Sequence, residues 1–145
     1  MISILFQILV GIFGGLAGSL QTTINGILSN KVGDLASVCI TYGTGGIIIF
    51  LITVLSGNLN IKEWQTLPWY LFLPGILGLV IVGALGYTSG RLGTTAAMSI
   101  FIVASLTFGT IIDHFGLLGT AQRPMDISRL IGLTALIIGT WLVTR

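Results

Sequence analysis

Long apolar runs interrupted by isolated charges dominate this chain. Charged side chains occur only at Lys31, Asp34, Lys62, Glu63, Arg91, Asp113, Arg123, Asp126, Arg129 and Arg145. The intervals between them leave five stretches long enough to cross a bilayer, near residues 3–28, 36–57, 67–89, 94–113 and 128–144. A membrane helix needs about 20 mostly apolar residues. These runs are apolar on every face, without the polar and apolar alternation of a barrel strand. In hydrocarbon each backbone amide must be satisfied within its own segment, which leaves helices. The pattern predicts an all-α integral membrane protein: a five-transmembrane-helix bundle forming a single membrane domain over residues 1–145.

Details of the runs refine the expectation. Trp64, Trp69, Tyr70 and Trp141 fall near span ends, where amphipathic rings prefer the interface. Pro68 suits a first helical turn, whereas Pro74, a turn deeper, should kink the third span or delay its start. The fifth span is the shortest and relies on Arg129 and Arg145 reaching the headgroups. Residues 29–35 and 90–93 leave little room, so the helices on either side of each must be antiparallel neighbours. Only 114–127 reads as a sizeable loop. Residues 4–16 could pass for the core of a leader, but Met1-Ile2-Ser3 carries no positive side chain and the apolar character continues to Leu28. The segment therefore reads as a span.

Composition removes several alternatives. Hydrophobic residues make up 54% of the 145 and charged residues 7%, against roughly 25% charged in soluble domains. Net charge is +2 with no basic cluster, so no nucleic-acid partner is expected. A single cysteine, Cys39, excludes an internal disulfide, and its apolar surroundings predict a small buried hydrophobe. One histidine, His114, cannot assemble the three or four ligands of a zinc site. No serine sits in a nucleophile elbow, and no phosphate-binding glycine loop is present. Neither an enzyme, nor a metal, nor a cofactor is expected.

With five spans, Lys62, Arg123 and Arg129 lie on one side, and Lys31, Arg91 and Arg145 on the other. Loop charge normally fixes orientation. Three against three gives no bias, which predicts dual topology and an antiparallel pairing of two copies.

The glycines, 21 in all, lie mostly inside spans. At 100° per residue, Gly11, Gly15, Gly18, Thr22, Asn25 and Ser29 share one stripe of the first helix, with Gly14 and Gln21 at its edge. Its small half allows close backbone approach. Its polar half must face a partner or a water-filled cavity. Gly43 and Gly46 accompany Tyr42 and Thr44 on the second helix; Gly75, Gly78, Gly83 and Gly86 line the third. Gly86 to Arg91, including Tyr87, forms a small polar stretch that meets Thr94 and Thr95, and Arg91 stands near a helix N-terminus that could attract an anion. A snorkelling interfacial role for Arg91 is the simpler alternative. No acid lies in mid-span. Asp113 is the carboxylate best placed for proton coupling, beside His114, a residue type suited to proton exchange near neutral pH; a helix-end cap is the alternative for both.

The order of these features resembles the drug/metabolite transporter superfamily, and more closely its YdcZ-like branch of small inner-membrane exporters. The matching pieces are the glycine-rich first helix running into Gln21 and Asn25-Gly26-Ile27-Leu28, a second helix opening on small residues, Trp69 to Pro74-Gly75, Arg91-Leu92-Gly93, Asp113-His114-Phe115-Gly116, and a last helix with Arg129, Gly132 and Gly139. The resemblance spans nearly the whole chain. It implies a multi-pass protein of the inner (cytoplasmic) membrane, built as half of an inverted-repeat transporter that pairs with itself or a homologous sister chain. Ala104-Ser105 runs directly into Leu106, where the family pattern has a glutamine, so no role of that glutamine is carried over. The first-helix glutamate of the related four-helix multidrug exporters has no counterpart either.

The reading expected from residues and resemblance together is a secondary exporter of small-molecule solutes working as an antiparallel dimer in the lipid bilayer. Gln21, Asn25, Tyr42, Tyr87, Arg91 and Thr94 are its expected pathway residues. Gly11, Gly15, Gly18, Gly43, Gly46, Gly78, Gly86, Gly132 and Gly139 are its expected packing positions. A small dual-topology channel and a non-transporting membrane adaptor are the alternatives.

Overall fold

The structure is a computed structural model that describes residues 2–57, 67–117 and 121–145. Lys62, Glu63 and Trp64 lie outside the described residues. Among the described residues, five α-helices follow one another: α1 (Ile2–Val32), α2 (Asp34–Leu55), α3 (Leu73–Leu92), α4 (Thr94–Phe115) and α5 (Ile127–Val143). The first four, with the 3-10 turn Trp69–Phe72 that leads into α3, are long and apolar enough to cross a membrane. Helix α5 has 17 residues, about 25 Å at ~1.5 Å per residue, slightly short of a hydrocarbon core of ~30 Å. The Arg145 guanidinium lies 3.8 Å above the Trp141 ring at its end, an anchoring pair suited to the interface.

The connections are tighter than the charge pattern predicts. Ser29, Asn30 and Lys31 stay helical, and so do Gly90 and Arg91. Polar side chains at a helix end reach the interface without leaving the helix. The chain turns instead at single glycines, Gly33 (φ 92, ψ 157) and Gly93 (φ 84, ψ 159), in a region that side-chain-bearing residues almost never occupy. Pro74 falls in the first turn of α3, which starts at Leu73 after the 3-10 turn; the start is delayed because a proline deeper in the helix would remove a backbone donor.

The α1–α2 and α3–α4 hairpins are built alike. Gly15, Gly18, Gly26, Ser29, Gly33 and Ala36 recur 60 positions later as Gly75, Gly78, Gly86, Ser89, Gly93 and Ala96, with Lys31 matched by Arg91. Equivalent hydrogen bonds close both turns. Gly33 N donates to Ser29 O at 2.9 Å and Gly93 N to Ser89 O at 3.0 Å. Ser29 Oγ donates to the Asp34 carboxylate, and Ser89 Oγ shares a hydrogen with Thr94 Oγ1 at 3.1 Å. The repeat keeps one direction through the membrane, since two helices separate its halves.

Helices α1 and α3 form the centre and pack most extensively together. They are parallel: Asn25 meets Gly86, and Gly26 meets Ser89 and Gly90. Helix α2 packs antiparallel on both, and α4 likewise, while α5 touches only α4 among the described helices. Asn30 Nδ2 donates to Gly90 O at 2.9 Å, and Arg91 pairs with Asp34 at 3.6 Å. Both hairpin turns therefore sit at one end of the bundle. Asp113 and Arg129, 4.0 Å apart, lie at the end of α4 and the start of α5.

Burial is reversed from that of a soluble protein. Among the described residues, the buried hydrophobic ones are Ala96 and Ala97 and the buried polar ones are Thr22, Asn25, Ser29, Ser37 and Ser89. Phe13, Val80 and Phe108 are 72%, 64% and 64% exposed. Such a surface is stable only against hydrocarbon. Cys39 follows the same logic. The sequence predicts it buried, yet it is exposed on α2, because lipid solvates a thiol's apolar character as well as a protein core does.

Asp126 caps α5 by accepting from Arg129 N at 2.8 Å and from Ser128 Oγ at 3.0 Å. These bonds, that from the Arg129 amide first, hold its carboxyl below its ordinary value of 3.8. A depressed folded value means that the cap contributes fully above the ordinary range and is lost as pH falls through the folded value. Protection of the Ile127 to Leu130 amides against hydrogen exchange, taken relative to the intrinsic rate at each pH, should fall on acidification below that range. Asp126→Ala should show the faster exchange already at neutral pH, and an unchanged rate in that variant would remove the capping role.

Candidate functional site

The buried polar residues converge where α1 crosses its neighbours. Four residues of α1, Thr22, Asn25, Gly26 and Ser29, are all buried. A Cβ built on Gly26 would lie 2.8 Å from Ser89 Oγ and 2.9 Å from the Gly90 backbone nitrogen. Glycine alone permits this approach. Gly86 of α3 faces the same crossing at ordinary packing distance, with Asn25 Cβ 3.5 Å and Ser37 Oγ 3.7 Å from the position of its missing Cβ. Small residues thus bring three helices close enough for side-chain amides and hydroxyls to meet.

Asn25 is the centre of this arrangement. It is 3% exposed, and its Oδ1 accepts from Thr41 Oγ1 of α2 at 2.6 Å. Thr22 donates to Met98 Sδ of α4 at 3.4 Å, and Thr23 shares a hydrogen with Thr94 at 2.9 Å. Two cavities flank Asn25. One, of about 400 Å³, lies between α1 and α2 and includes Gln21, Ile24, Asn25, Thr41 and Thr44 in its wall. The other, of about 180 Å³, lies between α1, α3 and α4 and is bordered by Gln21, Thr22, Asn25, Leu85, Met98 and Phe101. Gln21 and Asn25 line both. Among the described residues, no charged side chain lines either.

The other expected pathway residues lie elsewhere. Tyr42 directs its hydroxyl onto Gly78 of α3, where it packs helices. Tyr87 carries the Arg91 guanidinium 3.5 Å above its ring, and Arg91 also donates to Tyr87 O at 3.1 Å and pairs with Asp34. This group closes the hairpin end and borders a larger apolar groove between α2 and α3. Thr94 joins the network of Thr23 and Ser89 beneath the second turn. Asp113 and His114 stand at the far end of α4, where Asp113 and Arg129 share a groove of about 370 Å³ with Ser105 and Gly132. Met125 N donates to His114 Nδ1 at 3.0 Å. No hydrogen bond links them to Asn25 among the described residues.

The glycines separate similarly. Gly78 and Gly86 sit against other helices, whereas a Cβ on Gly11, Gly15, Gly18, Gly43, Gly46, Gly132 or Gly139 would meet nothing within 4 Å. Those seven face the outside of this single chain or its grooves. Reasoning from sequence missed Gly26 and Gly90 as crossing points, and Thr41 as the partner of Asn25. A polar residue near the start of α2, opposite the polar half of the α1 stripe in a tight hairpin, was the available signal for Thr41.

Beside this all-helical bundle with an apolar exterior and an uncharged polar interior stands a family match over nearly the whole sequence. Residues 6–142 fit the model of the family described as "Putative inner membrane exporter, YdcZ". The chain belongs to this family. No curated protein and no solved structure matches it. YdcZ membership accords with a multi-pass inner-membrane location and a role in transport, and it covers all five helices, including the short α5. It also places the Gln21 and Asn25 cavities within the matched region.

Proposed function

We propose that the chain is a secondary exporter of small molecules, in which two antiparallel copies enclose the Gln21 and Asn25 cavities and alternate their access between the two membrane faces. The observation that carries this reading is the placement of Asn25. A nearly fully buried amide, flanked by two cavities in a bundle with an apolar exterior, is the kind of group that marks a solute path in membrane proteins. The site lies in the interior of the spans, as transporter sites do. The need for a second copy is supported by the openness of the single chain. Among the described helices α5 leans only on α4, both cavities are open at their sides, and seven glycines have free space before them. The balance of basic residues between the two faces supports an antiparallel arrangement.

Counterflow in proteoliposomes tests the reading. Saturable exchange of a preloaded solute, reduced at least about tenfold by Gln21→Leu, is expected. Flux that does not saturate would point to a pore, and no flux with any solute class would remove the transport reading. Tags on both termini probed in intact cells should report both orientations; a single uniform orientation would exclude the antiparallel homodimer.

A further inference from the structure

We infer that Asn25 Nδ2 is the hydrogen-bond donor that selects the solute, and that the solute is an uncharged molecule carrying a carbonyl-type acceptor on a largely apolar body. This rests on the transport reading for its route, but its chemistry comes from the cavity itself.

Asn25 has four hydrogen-bonding sites to satisfy, two donors on Nδ2 and two lone pairs on Oδ1. Thr41 occupies Oδ1. Nδ2 has no hydrogen-bond partner among the described residues, although the residue is 3% exposed. No fully enclosed side-chain nitrogen or oxygen among the described residues lacks a partner, so Nδ2 keeps a small accessible surface, in a residue that borders both cavities. Thr41 fixes the amide from the other side, so the donor is already oriented before a ligand arrives. A donor held in this way in an apolar enclosure discriminates strongly, because a solute lacking an acceptor leaves it unpaired.

Charge is excluded by the same walls. Gln21, Thr22, Thr41 and Thr44 are the polar groups around Asn25, and Ile24, Leu28, Leu85, Met98 and Phe101 make up much of the remainder. The four acidic residues are Asp34, Glu63, Asp113 and Asp126, none in mid-span. An antiparallel second copy brings the same set, so a cationic solute finds no counter-ion at the site. Arg91 is engaged with Asp34 at the hairpin end, and no basic residue lines either cavity among the described residues, so an anion finds none either. A desolvated charge without a partner is strongly disfavoured. A neutral amide, lactam or nucleoside meets the site with its carbonyl on Nδ2 and its body against the aliphatic wall.

The test uses the purified full chain in detergent and in proteoliposomes with three panels: uncharged amides, lactams and nucleosides; ethidium and tetraphenylphosphonium; aryl carboxylates and sulfonates. Thermal unfolding reads binding, and counterflow reads transport. Stabilisation confined to members of the neutral panel is expected, with affinity weakened at least about tenfold in Asn25→Leu, whose side chain branches at the same carbon but donates nothing. Should that variant lose its fold, Asn25→Ala serves, because it removes the donor without adding bulk. Stabilisation by either charged panel, neutral binding that survives both substitutions, or no stabilisation by any panel overturns the assignment. The two readings fail separately. Neutral solutes that bind without being exchanged leave the site and remove the transporter, whereas exchange of charged solutes leaves the transporter and removes the site.

Discussion

Replacing Gly26 by leucine is expected to prevent the chain from forming its bundle. Even the first carbon of a side chain would lie 2.9 Å from the Gly90 backbone nitrogen and 3.1 Å from the Ser89 carbonyl carbon. Backbone on a helix axis cannot step aside as a flexible side chain can. Overpacking a tight site costs typically 1–3 kcal/mol. A leucine here also separates α1 from α3, the most extensive contact in the fold, and severs the Asn30 to Gly90 bond with it. Gly26→Ala should lose about 1–3 kcal/mol in a denaturant titration in micelles, and Gly26→Leu should fail to elute as a monodisperse species. Gly45, with nothing within 4 Å of its missing Cβ, provides the comparison. Gly45→Ala should leave stability unchanged or slightly raised, since alanine favours helix. Equal losses at Gly26 and Gly45 would mean that the α1–α3 crossing is not where the structure places it.

The second large effect concerns the turns. Gly33 and Gly93 adopt φ of 92° and 84° with ψ near 157° and 159°, so a Cβ is strained there whatever space surrounds it. No atom lies within 4 Å of either missing Cβ, so sterics with neighbours contribute nothing and the backbone effect is isolated. Gly33→Ala and Gly93→Ala should each destabilise by about 1–3 kcal/mol and by similar amounts. The similarity is the informative part, because it follows from the two hairpins being built on one plan. A loss at one position with none at the other would show that one turn differs in the membrane.

How the sequence betrayed this fold, and where it fell silent, follows from the range of each signal. Charge gaps locate spans because hydrocarbon excludes charge over a full helix length, and all five helices lie where the gaps put them. Helix ends were less legible. Ser29, Asn30 and Lys31 look like loop residues, and only the positive φ of Gly33 decides that the helix continues to Val32. Helical periodicity was enough to place Gln21, Thr22 and Asn25 on or beside one stripe of α1. Periodicity within one helix does not report how its neighbour is rotated, so Thr41 went unassigned and Tyr42, one residue on, was chosen instead. The side chains of adjacent residues point about 100° apart on a helix, which is the difference between facing Asn25 and facing Gly78. The glycine stripe had the same weakness. It identifies a small face without saying what lies opposite, and in this chain the close crossing occurs at Gly26 and Gly90, while Gly11, Gly15 and Gly18 stay open.

All of these arguments assume that lipid covers the exposed apolar faces and that the polar residues look inward. Spin labels placed singly at Phe13, Val80, Phe108 and Thr44 in liposomes measure this directly through collision with oxygen, which concentrates in hydrocarbon, and with a water-soluble nickel chelate. Labels at Phe13, Val80 and Phe108 should meet oxygen and exclude nickel, while the label at Thr44, in the cavity wall beside Asn25, should admit the nickel reagent. Nickel access at the three outward positions, with exclusion at Thr44, would contradict the account at its root.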